Sequence, residues 1–467
     1  MPSLLTRSNI VPLLVACALF MEHLDSTIIA TALPEIARSM NEDPLRLSLA
    51  ITSYLLSLAV FIPLSGWAAD RFGARRVFRS AIVVFTVGSI LCGLSQSLPQ
   101  LVAARVLQGI GGAMMVPVGR LVLLRQVPKQ ELVRVLAYVT MPAVLAPIIG
   151  PPLGGFIATH ASWRWIFFVN VPIGIIGYRL VSRFIDGGPE PKPPPLDLLG
   201  WILIGSGLAS LLFGFENLGR NVFAPGVVRT FLLGGCVLIG LYVLRSRRIA
   251  KPIVDLTLAK VPTFGLAMIG GALFRLGAGA QALLMPLLLQ LGFGYTPLRS
   301  GLTTCAGAVG IFLMKPTATP IVRRFGFRKV LSLNGLLCGL LIAGCSFFSS
   351  ATPHVLIVCY LLLLGYLQSL QFTAMNAMSF ADVVEDRMSQ AASFSSTIIQ
   401  LSLSMGVGIA AQLLHIAMAW RNRATMSADD FWIAFLTFGS LTVLSACLFL
   451  RLSRDAGSSV SGHGKER

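Results

Sequence analysis

The chain of 467 residues is 55% hydrophobic and only 12% charged, with a mean hydropathy of +0.79, which excludes an ordinary water-soluble domain. Its formal charge of +18 at pH 7 would suit nucleic acid, but the basic residues lie between apolar runs and not on one domain, so no nucleic acid is expected as a partner. The eight cysteines and five histidines are scattered singly, without disulfide or metal-ligand spacing, so neither a metal site nor a cofactor is indicated.

The apolar residues form about fourteen runs, near 10–32, 47–68, 77–96, 98–119, 133–157, 165–184, 196–216, 227–247, 262–290, 298–320, 329–349, 354–377, 391–418 and 431–452. Each is close to the roughly 20 residues with which a helix crosses a hydrocarbon core of about 30 Å. Open sheet edges cannot exist in lipid and the runs lack strand alternation, so they predict an all-α polytopic membrane protein. With the N-terminus inside, 27 of the 37 Lys and Arg fall on inner segments, eight outside, and Arg105 and Arg275 within spans. That asymmetry places both termini in the cytoplasm and makes membrane lipid an expected partner.

In the first run Glu22 and Asp25 stand three residues apart and so share a helix face. A carboxylate at mid-bilayer costs about 2.5–3.5 kcal/mol on insertion scales, and such groups usually face a cavity or a partner. Both are candidate proton carriers, against the competing reading of a fixed structural ion pair. Asp25 and Arg105 each lie seven residues from the outer end of their runs, hence about 10 Å deep, and Glu22 is level with Gln108 at about 15 Å. A pair of Asp25 with Arg105 that opens when Asp25 takes a proton is expected, with Glu22 and Gln108 lining a substrate cavity.

Farther along, Arg71-Phe72-Gly73-Ala74-Arg75-Arg76-Val77 recurs as Arg324-Phe325-Gly326-Phe327-Arg328-Lys329-Val330 at an offset of 253 residues. Each copy follows the second helix of a six-helix unit, and the offset exceeds one unit by enough for two more helices. The expected organisation is a bundle over 1–185, a Pro-rich linker over 186–195, two inserted helices over 196–250, a second bundle over 251–452 and a disordered tail over 453–467. The same offset carries Glu22 onto Arg275, which is therefore expected to face Glu22 or an anionic substrate group across the centre, or else to snorkel. Gly150 and Gly154 share a face one turn apart, and Pro151 and Pro152 remove backbone donors, so close helix approach and a bend are expected there.

Four segments, in order, resemble signatures of the major facilitator superfamily. Gly66-Trp67-Ala68-Ala69-Asp70-Arg71-Phe72-Gly73-Ala74-Arg75-Arg76 resembles its cytoplasmic loop motif, and Leu101 to Ala113, with Arg105 and Gln108, its fourth-helix motif. Gly150-Pro151-Pro152-Leu153-Gly154-Gly155 resembles the fifth-helix motif of antiporters, and Leu24-Asp25-Ser26-Thr27 through Pro34 the first-helix signature of drug:proton antiporters. With fourteen spans the chain is similar to the EmrB/QacA-type branch. The resemblance implies two rocking bundles in a bacterial cytoplasmic (inner) membrane and export of small drugs or toxic compounds in exchange for protons, the proton being the coupling ion. It assigns Gly66, Asp70, Arg71, Gly73, Arg75 and Arg76 to a cytoplasmic gate and Gly150, Pro151, Gly154 and Gly155 to antiport. Arg323 stands where the first repeat has Asp70, a departure that implies an asymmetric gate. Export of one metabolite or peptide-like compound, and a sensor without transport, stay as alternatives; no sequence feature points to an adaptor protein or to an enzyme.

Overall fold

The computed structural model describes residues 7–42, 44–139, 141–185, 195–218, 223–421 and 426–461. Among these the secondary structure is helical, with no strand. The first series comprises α1 (Arg7–Met40), α2 (Pro44–Phe61), α3 (Leu64–Phe72), α4 (Ala74–Leu94), α5 (Leu98–Gln126), α6 (Leu132–Val139), α7 (Met141–His160), α8 (Trp165–Phe168) and α9 (Asn170–Phe184). A hairpin of α10 (Leu198–Asn217) and α11 (Pro225–Ser246) follows. The second series comprises α12 (Pro262–Leu287), α13 (Pro297–Met314), α14 (Ala318–Lys329), α15 (Gly335–Gly344), α16 (His354–Ser379), α17 (Met388–Trp420) and α18 (Trp432–Phe449), and a short α19 (Ser458–Ser461) ends it.

Each of the fourteen apolar runs lies on helix. Among the described residues eleven stretches are long and apolar enough to span a membrane, or up to twelve if the bent pair α2 and α3 counts as one. One of the eleven, Leu298–Phe347, is 50 residues long, about two crossings, and its backbone breaks at Gly326. The run at 133–157 is carried by α6 and α7 on either side of residue 140. Helix faces left outside the bundle are apolar, as Leu233 at 68% and Val237 at 60% exposure on α11 illustrate. Such faces are at home against lipid tails and a liability in water.

The sequence repeat has a backbone counterpart. In the first series α1 packs on α7, α2 on α5 and α4 on α9; in the second, α12 packs on α17, α13 on α16 and α15 on α18. The second crossing is interrupted by proline at equivalent places, Pro63 between α2 and α3 and Pro316 between α13 and α14, where proline deprives the helix of a donor. The first of these breaks bends the helix by 59°. Ten residues beyond each proline the chain turns through a glycine with positive φ, 82° at Gly73 and 73° at Gly326, a conformation that side-chain-bearing residues adopt only under strain. The α10–α11 hairpin lies beside α2 and α17, one element from each series.

Two expectations need correction. The fourth span does not stop near residue 119: α5 continues to Gln126, which brings Arg120 from a presumed loop into the bundle. The tail is not disordered from Ser453, since Val460 is buried and α19 packs against α14 and the turn at Lys129–Glu131. Gly457, at φ 67°, turns that segment onto Phe327 and Ala381. The Gly/Ser content read as disorder, whereas one valine and one turn-forming glycine suffice to dock it. The Pro-rich segment lies almost wholly outside the described residues.

Gly73→Val and Gly326→Val are each expected to lower stability, by about 1–3 kcal/mol for a side chain forced into that backbone region. Thermal unfolding in detergent checks this, with Gly155→Val, where an added Cβ meets nothing within 4 Å, as the tolerated comparison.

Candidate functional site

Asp25 lies at mid-length of α1, almost fully enclosed at 1% exposure. Its Oδ2 accepts from Arg105 Nη1 of α5 at 2.5 Å, and its Oδ1 accepts from Gln108 Nε2 of α5 at 2.8 Å and from Asn170 Nδ2 of α9 at 3.1 Å. Ser89 of α4 ties the donors together, accepting from Gln108 Nε2 at 3.2 Å and Asn170 Nδ2 at 2.9 Å while donating to the Phe167 carbonyl at 3.0 Å. Arg105 also donates from Nε to the Ala50 carbonyl of α2 at 3.0 Å and lies 4.3 Å from the centre of the Tyr54 ring. Helices α5 and α9 thus bond the carboxylate of α1 directly, α2 and α4 bond its donors, and Arg105, Gln108 and Asn170 are themselves buried. A buried charge is tolerable only when paired and hydrogen-bonded to this degree.

Glu22 has the opposite environment. It is half-buried, and its Oε2 has no hydrogen-bond partner. Arg120 is within electrostatic reach of it. Side chains lean toward the N-terminus of their own helix; α1 and α5 run in opposite directions, so Glu22 leans one way and Arg120 the other, and they approach. Gly119 against Val15 shows how closely the two helices lie there. Arg120 also donates to Ser395 Oγ of α17 at 3.4 Å, which joins the first series to the second.

Arg275 is fully enclosed in α12, and none of its three guanidinium nitrogens has a hydrogen-bond partner. It folds back over Gly271 and against Met375 of α16. No hydrogen bond or ion pair joins it to Glu22 among the described residues, so the expected contact across the repeat axis is not made. Gln108, expected beside Glu22 at the cavity, belongs instead to the enclosed Asp25 network.

The loop motif meets the second series at its own end of the bundle, called here the basic face. Asp70 accepts from Ser389 Oγ, in the first turn of α17, at 2.5 Å and pairs with Arg125 at 3.5 Å. A carboxylate at a helix N-terminus is electrostatically favoured. Gly66 presses on the Ser389 carbonyl, to which an added Cβ would come within 2.9 Å, and Ser393 donates to the Ile62 carbonyl at 2.8 Å. Arg75 donates to the Ser182 carbonyl, whereas Arg71 and Arg76 are exposed. On α7, Gly150 packs on Thr27 of α1, where a Cβ would meet the hydroxyl at 2.4 Å. Gly154 is buried and Gly155 half-buried, and the helix is continuous from Met141 to His160 through Pro151 and Pro152.

Sequence reasoning did not find Asn170, Ser89, Tyr54 or Arg120. The first two are lone polar residues within apolar runs, a signal that could have been used. Arg120 was hidden because an arginine at the edge of an apolar run looks like a loop charge.

The profile of the Major Facilitator Superfamily matches residues 15–279, more than half of the chain. "Putative multidrug resistance protein MdtD" of Salmonella heidelberg (strain SL476) is 37% identical over 446 residues, covering 95% of this chain and 94% of its own. The protein of the same name from Salmonella typhimurium (strain LT2) is 37% identical over 450 residues, with the same coverage. Among solved structures, the human organic anion transporter MFSD10 (TETRAN) superposes with a TM-score of 0.63 at 16% identity, covering 96% of this chain and 100% of its own. The proton:xylose symporter XylE gives 0.61 at 13% identity, covering 94% of each; at such identities the likeness concerns the fold alone. Profile, full-length relatives and fold agree: the chain belongs to the major facilitator superfamily of membrane transporters and is not an enzyme.

Proposed function

We propose that the protein exports small amphipathic molecules, drugs or toxic compounds among them, in exchange for protons, by alternating access between the halves at 1–185 and 251–452. The observation that carries this reading is the contrast between two carboxylates on one face of α1: Asp25 has each oxygen bonded, and Glu22 has a buried oxygen with no partner. The name borne by relatives that match 95% of the chain supports the class of cargo. The excess of Lys and Arg supports a cytoplasmic basic face with both termini inside, and the bacterial relatives support an inner membrane.

A proton on Asp25 converts an acceptor oxygen into a donor, which then confronts Arg105, Gln108 or Asn170. Protonation there must displace a partner. At Glu22 it displaces nothing, so the proton enters at Glu22 and reorganises the bundle on reaching Asp25. The Tyr54 hydroxyl, buried without a partner and within electrostatic reach of both acids, is placed to relay it. Breaking a buried pair costs about 3–5 kcal/mol, comparable with one or two charges crossing a membrane at about 2.3 kcal/mol per 100 mV each. The Asp70–Ser389 contact and the close seat of Gly66 hold the cytoplasmic side shut until α3 and α17 separate.

Substrate-induced proton release from purified protein in detergent tests the coupling. Wild type is expected to release protons on binding an amphipathic cargo, and Glu22→Gln or Asp25→Asn to bind with release lost; release unchanged in both variants ends the proposal. Arg105→Ala, which orphans Asp25, is expected to abolish coupling and to cost about 3–5 kcal/mol of stability. An Arg105→Ala protein that still transports with wild-type proton coupling would remove the switch. For the gate, Gly66→Val is expected to lower transport in proteoliposomes several-fold while leaving equilibrium binding intact, because the clash is with backbone on α17 and not with cargo.

A further inference from the structure

Two unmet bonding demands of opposite sign stand one on each series. Glu22 Oε2, on α1, is a buried acceptor with no donor, and Arg275, on α12, presents three buried donor nitrogens with no acceptor. Buried charges persist only when something satisfies them. The two do not satisfy each other, and the charged group felt at Arg275 is a second cation, Arg120, which is also within reach of Glu22. Glu22 and Arg120 keep partial exposure, so the site is open on that side. Met375, a side chain that repacks readily, shares the Gly271 surface with the Arg275 guanidinium, and Phe274, next to Arg275 in the chain, packs edge to face on Phe372 with ring centres 5.2 Å apart.

A lone cation would meet Glu22 and be repelled by two arginines. A lone anion would pair with Arg275 and leave Glu22 unmet. Only a molecule bearing both a cationic donor and a carboxylate supplies both missing partners at once. We propose that this site binds zwitterionic amphipathic compounds, with the ammonium on Glu22 and the carboxylate forked by Arg275, a geometry that guanidinium suits. The inference rests on the central-site export reading and deepens it. The ammonium competes with the proton at Glu22, and the carboxylate ties the cargo to the second series, so one ligand spans both halves.

The test uses three molecules of one shape: L-phenylalanyl-L-phenylalanine, its methyl ester, which keeps only the cation, and its N-acetyl derivative, which keeps only the anion. The corresponding triphenylalanine set varies the charge spacing. Calorimetric titration of the full-length protein is expected to rank the zwitterion above each single-charge analogue by roughly ten- to a hundredfold, the scale of a charged hydrogen bond. Arg275→Gln should erase the preference over the ester, Arg275→Lys should retain part of it, and Glu22→Gln should erase the preference over the N-acetyl compound. The lysine variant keeps the charge and so guards against misfolding as the cause. Equal affinity for all members of both sets in wild type, or binding of none, overturns the inference. Zwitterion binding without proton release leaves it standing and overturns proton coupling; proton release on binding an ester whose affinity equals the zwitterion's does the reverse.

Discussion

Arg105 is the residue around which the first series is assembled. Its guanidinium reaches Asp25 on α1, the Ala50 carbonyl on α2 and Gln108 on its own helix, and lies over Tyr54. In lipid there is no water to accept any of these bonds, so each helix that supplies a partner is held at one depth and one rotation. Ser89 and Asn170 complete the cluster from α4 and α9. The hydrophobic effect cannot select such an arrangement in a bilayer, because lipid tails are as apolar as leucine; polar contacts and close packing do so instead.

The second series is built on a different device. Among the described residues no acid pairs with Arg275, and the side-chain contacts of this series include bonds between amides, Gln281 with Gln368 at 2.5 Å and Asn334 with Gln371 at 2.8 Å. The repeat therefore shares a backbone plan and divides the chemistry. Among the described residues the first series holds Glu22 and Asp25 within one helix, and the second holds Arg275 without a hydrogen-bond partner. Contacts between the two, Asp70 to Ser389 and Lys129 to the Ala381 carbonyl among them, cluster at the basic face.

Much of this was legible in the sequence. The apolar runs gave the helices because lipid leaves one solution for a run of that length, and equal depth of Asp25 and Arg105 placed them together without any knowledge of packing. Rotation was not legible. Depth alone set Gln108 level with Glu22, but which way it points depends on how α5 turns against α1 and α4, and it turns toward Asp25. The repeat offset paired the position of Glu22 with that of Arg275, but an offset in sequence carries no information on whether two side chains have the length and tilt to meet. Arg120 was misplaced because hydropathy ends a span at the first charge, whereas a helix can continue when that charge has a partner inside.

The paired breaks at Pro63 and Pro316, each followed by a turn at Gly73 and Gly326, leave α3 and α14 as matching short arms on the basic face. At the same position one arm carries Asp70 and the other Arg323. Asp70 is offset within its own arm by Arg71, whereas α14 carries Arg323, Arg324, Arg328 and Lys329 and no acid, so the two arms differ in net charge and an anionic surface attracts α14 more strongly than α3. The duplication thus leaves two arms of one shape and unequal charge, so the two ends of the same backbone plan are not interchangeable.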